Sequence, residues 1–107
     1  RRGRRAARPV RSADVDVDAV ARRVEGCPAV DSLSSGPVGL AVSYLPGKRV
    51  EGVRVADDVV EVHVVARWGV TVQVVDREIR GAVSSMTAGR RLDVVIEDVD
   101  VPAGLLR

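Results

Sequence analysis

The sequence predicts a small α+β domain: an antiparallel sheet of three to four strands with two helices packed on one face. Three observations lead there. Twenty-five of the 107 residues are valine and none is phenylalanine, so the core is built from small β-branched side chains. Such side chains favour strands over helices. Residues 50–55 and 59–68 alternate apolar and polar positions, the pattern of a half-buried antiparallel hairpin. Two flanking stretches instead repeat their apolar residues at helical spacing. A chain of this length suits one domain, burying roughly 65% of its unfolded surface.

Residues 1–12, RRGRRAARPVRS, carry Arg1, Arg2, Arg4, Arg5, Arg8 and Arg11 with no acid, a local charge of +6. Without apolar periodicity they are expected to form a disordered, arginine-rich arm. No apolar run follows the twin arginines, so they are not read as an export signal. The remainder is mildly acidic, at net −4. The single domain is expected over residues 13–102, with a tail at 103–107.

From residue 14 to 25, Val17, Val20, Ala21 and Val24 form one helical stripe. Asp14 or Asp16 can cap its start, and Gly26 is expected as a left-handed C-cap before Pro28. Residues 29–37 read as loop with a short edge strand. Residues 38–45 read as a strand or a longer connection, ended by the Pro46-Gly47 turn. In the hairpin, Val60, Val62, Val64, Ala66 and Trp68 share one face, while Glu61, His63, Val65 and Arg67 share the other. Gly69 breaks this strand. A second helix over residues 73–87 buries Val75, Ile79, Val83 and Met86, and close packing against the sheet would justify Gly81 within it. Gly89 stops that helix, and Leu92, Val94 and Ile96 begin a last strand running to about residue 99, closed by Pro102.

Reactive chemistry finds little support. Asp14, Asp16 and Asp18 with Glu25 have the acid spacing of a calcium loop, but Ala19 stands where the obligatory glycine belongs. His63 is the sole histidine and sits mid-strand, so a surface or interface role is expected rather than general-base work. One histidine and one cysteine are too few for a zinc site. Cys27 follows a helix C-terminus, where the dipole disfavours a thiolate, so a structural thiol is expected. The paired acids Asp57-Asp58 and Glu97-Asp98 point apart in turns and strands. Gly47-Lys48 lacks the earlier glycine of a phosphate loop, with Val42 in its place, and Arg49 replaces the magnesium-binding hydroxyl. No catalytic, cofactor or metal-binding set is therefore expected. The arginine arm can neutralise phosphates. A small nucleic-acid-binding module using that arm is thus the alternative reading. It is disfavoured because only Tyr44 and Trp68 are available for base stacking. The arm can equally meet anionic lipid headgroups. No apolar stretch reaches the roughly 20 residues of a membrane span, and a lone cysteine fits a reduced, cytoplasmic setting.

The stretch YLPGKRVEGVRV at residues 44–55, followed by VVEVHVVARWGV at 59–70, resembles the alkaline shock protein 23 family, bacterial cell envelope stress response proteins, in its actinobacterial form. The likeness covers residues 14–102 in element order, including the aromatic-Gly-Val step at Trp68, Gly69 and Val70. It departs at Gln73, where members often carry proline, and in front of the first helix, where the arginine arm stands. The resemblance implies a non-enzymatic cytoplasmic protein that forms homo-oligomers. Some members of that family are held at the inner face of the membrane by a separate anchor protein, so a membrane-anchored partner protein is among the partners the resemblance implies. It transfers no catalytic residues. The interaction surface expected on physical grounds is the outer hairpin face, with Glu61, His63, Val65, Arg67 and Trp68, together with an exposed sheet edge.

Overall fold

The computed structural model describes residues 14–105. The arm expected over residues 1–12 therefore lies outside the described residues, as do residues 106 and 107 of the expected tail. Helix α1 (Val17–Glu25) starts where Asp16 accepts a hydrogen bond from the Ala19 N–H at 3.1 Å. Its stripe of Val17, Val20, Ala21 and Val24 is buried, as the spacing predicts. Gly26 is not the expected left-handed cap. At φ −79° it continues the right-handed turn and donates its N–H to the Arg22 carbonyl.

Four short strands follow: β1 (Val30–Leu33), β2 (Val42–Leu45), β3 (Lys48–Glu51) and β4 (Val53–Val55). The sequence reads residues 50–55 as one strand, but the chain breaks it at Gly52. That residue has φ +85°, and a Cβ there would lie 2.7 Å from the Leu33 Cβ and 2.9 Å from the His63 carbonyl oxygen. Only glycine fits so close a backbone approach. The break turns β3 away to pair with β2 as a separate two-stranded ribbon.

Strand β5 (Val59–Arg67) is the centre of the main sheet. One edge takes β4, with Val53 opposite Val62 and Val55 opposite Val60, and β1, with Leu33 opposite Val64. Both pairings are antiparallel. The other edge takes β6 (Arg91–Asp100), and this pair is parallel, from Val59 beside Arg91 to Arg67 beside Asp100. The α+β class holds, but the sheet is mixed rather than purely antiparallel. The cause is helix α2 (Val72–Val83) and the 3-10 turn Ser84–Met86, which carry the chain back to the start of β5 before β6 begins. Ala103–Leu105, within the expected tail, form a final 3-10 turn.

Thr71 caps α2 through the Val74 N–H, and Val75, Ile79 and Val83 are buried beneath it. Met86 is only half-buried. Gly81 does not pack closely on the sheet as expected, since a Cβ there would meet nothing within 4 Å. The even-numbered residues of β5 (Val60, Val62, Val64 and Ala66) join the α1 and α2 stripes in one core. Both helices therefore lie on the same face of the sheet. Burying each of those valines contributes roughly 1.5–3 kcal/mol. Trp68, expected at the end of the core face, is instead 54% exposed just past the strand.

Candidate interaction face

Alternation along β5 puts Glu61, His63, Val65 and Arg67 on the sheet face opposite the helices. The structure thus brings four of the five expected surface residues onto one strand face, though Glu61, His63 and Val65 are half-buried there and only Arg67 is exposed, with Trp68 exposed at its end. The sequence does not reveal what joins them to the neighbouring strands. His63 Nδ1 lies 2.5 Å from Glu97 Oε2 on β6, and His63 Nε2 lies 3.0 Å from Glu61 Oε1. Glu61 in turn accepts from Arg54 of β4, Nη2 to Oε2 at 3.0 Å. One polar chain, Arg54–Glu61–His63–Glu97, therefore crosses three strands.

Its geometry depends on a β-bulge. Val64 pairs with Ile96 but Val65 pairs with Asp98, which leaves Glu97 as an extra residue in β6. Bulges re-aim side chains, and this one brings the Glu97 carboxylate to the imidazole. The only sequence trace of it is an acid on the odd-numbered side of an alternating strand. The parallel register that makes the contact leaves no local signature. The hydrogen bond from His63, supported by Arg54, holds the Glu61 carboxyl below its ordinary range despite the opposing effect of burial.

At the far end of the face, Arg67 donates from Nε to the Pro28 carbonyl at 2.9 Å and lies 3.7 Å from Asp31. Asp100 sits against Asp31, whose carboxylate pushes the Asp100 carboxyl above its ordinary range. Acid thus gathers where β1 and β6 flank the end of β5.

The remaining candidates resolve as local structure. Asp16 is a helix cap, and Asp18 pairs with Arg22 and with Lys48 of β3, so these acids of the calcium-like spacing serve α1. Cys27 is buried in the helix-side core, its thiol directed at the carbonyls of Arg23 and Glu78. Burial, and secondarily Glu78, pushes that thiol up from its usual range. Cys27 and His63 therefore lie on opposite sides of the sheet and cannot form a nucleophile–base pair. Arg90, which sequence reading passes over, is buried. It donates from Nε to the Ala56 carbonyl at 2.8 Å, while its two terminal nitrogens find no partner. Among the described residues no group of histidine, cysteine and acids is arranged to hold a metal ion. No helix among them is long and apolar enough to cross a membrane.

Tyr44, exposed on β2, rims a shallow groove of about 480 Å³ whose other walls include Val15, Val17, Pro46 and Arg54. Described residues carry ten basic and fifteen acidic side chains, a net −5. No family model, curated protein or solved structure matches the chain.

Proposed function

We propose that this protein is a non-enzymatic assembly module of the envelope-stress type, acting by self-association and partner binding at the cytoplasmic side of the cell envelope. The observation that carries the reading is the helix-free face of β5, where half-buried Glu61, His63 and Val65 and exposed Arg67 line up. Its polar groups are already engaged with one another. Both ring nitrogens of His63 lie within hydrogen-bond distance of carboxylates of the chain itself. A face whose polar groups are paired within the chain, with an exposed tryptophan at one end, suits a docking surface. The resemblance of residues 14–102 to alkaline shock protein 23 supplies the biological setting: envelope stress, homo-oligomers and a membrane-anchored partner.

The test is molar mass in solution by size exclusion with light scattering. At about 50 μM, well above a micromolar dissociation constant, a species larger than one chain is expected. A strict monomer at that concentration would remove self-assembly from the account.

A further inference from the structure

We propose that two copies of the chain pair through the outer edges of β6, antiparallel about a two-fold axis centred on Val94. The proposal rests on the self-association reading and specifies where it happens. The Arg91 N–H donates to the Asp58 carbonyl, so Arg91, Asp93 and Val95 turn their backbone groups toward β5. By alternation Leu92, Val94 and Ile96 turn theirs away, and among the described residues no strand pairs with that edge. The opposite side of the sheet is treated differently. There β4 is flanked by β2, with the Ser43 hydroxyl donating to the Val53 carbonyl and the Gly52 N–H to the Ala41 carbonyl. Strand β6 carries neither lysine nor proline, and its bulge at Glu97 limits the unblunted edge to Arg91–Ile96.

Side-chain packing and charge together favour one register: an axis on Leu92 would also oppose no two acids, but it would set Val94 and Ile96 against residues that precede the strand. Leu92, Val94 and Ile96 project toward the helices, and Val94 and Ile96 are only half-buried at the margin of the core. A second copy crossing at Val94 sets Leu92 against the second copy's Ile96 and covers both valines. The same register sets Arg91 opposite the second copy's Glu97, twice by symmetry, and places no acid opposite another. A two-fold centred on Val95 would oppose Asp93 to Glu97, and one centred on Asp93 would oppose that residue to itself. Parallel pairing in register would stack every acid beside its own copy. Like charges directly opposite across a ladder are destabilising. The bulge at Glu97 then ends the ladder on each side.

Charge reversal tests the register. Arg91→Glu lies on an exposed side chain and puts two like-charge pairs into the symmetric dimer. It is expected to weaken self-association roughly tenfold. Glu97→Lys does the same with two cations, and mixing the two variants restores association as a heterodimer, because every pair is then complementary. Glu97 also holds His63, so Val94→Pro serves as a second probe. The Val94 N–H faces outward, so proline there spares the β5 ladder while blocking the edge. Association of wild-type strength in both Arg91→Glu and Val94→Pro would overturn the edge pairing and leave self-association standing. A monomeric wild type would overturn both.

Discussion

Gly52 shows how much one residue decides. With φ +85° and no room for a Cβ, it lets β4 leave the β2–β3 ribbon and lets its carbonyl accept the His63 N–H at 2.8 Å. Gly52→Ala is expected to cost about 2 kcal/mol or more in urea unfolding, through backbone strain and a clash with Leu33. His63 and Glu61 make a second residue-scale case. The Glu61 carboxyl is held low, chiefly by His63 and then by Arg54. A group whose folded pKa is depressed stabilises the fold above its ordinary range, and that support disappears as pH falls through the folded value. The native chain is therefore expected to lose stability between neutral pH and about pH 3 more steeply than Glu61→Gln, when urea midpoints are compared. Equal slopes would remove Glu61 from the acid response. Cys27, buried and with its thiol pushed up, is expected to react with a disulfide reagent far faster in urea than in the native state.

At the scale of elements, α2 carries one correctable weakness. Gly81 sits in the helix interior facing open space, so Gly81→Ala is expected to stabilise the fold by about 0.5–1 kcal/mol, read as a higher urea midpoint at unchanged slope. Ile79, fully buried about two turns from the helix start, is expected to cost about 2–5 kcal/mol when cut to alanine. The two helices and the β4–β5 hairpin were legible in the sequence because their periods are local: every third or fourth residue in α1 and α2, every second in β5. The break at Gly52 was not, because it answers to Leu33 and His63, both distant in sequence. Nor was the parallel sense of β6. Alternation marks a strand, but it reads the same in either direction.

For the whole molecule, four of the five expected surface residues, all but Trp68, fell on one face because strand alternation alone places them there. What ties that face together is tertiary. Arg54, Glu61, His63 and Glu97 come from three strands, and their contacts depend on the parallel register of β5 with β6 and on the bulge. The same register leaves the outward amides of β6 available to another chain. Amide hydrogen exchange followed as a function of protein concentration tests this most directly. The Asp93 and Val95 amides, turned toward β5, should exchange slowly at every concentration. Those of Leu92, Val94 and Ile96 should exchange fast when dilute and become protected as copies associate. Fast exchange of these three amides at all concentrations would contradict an assembly built on this strand.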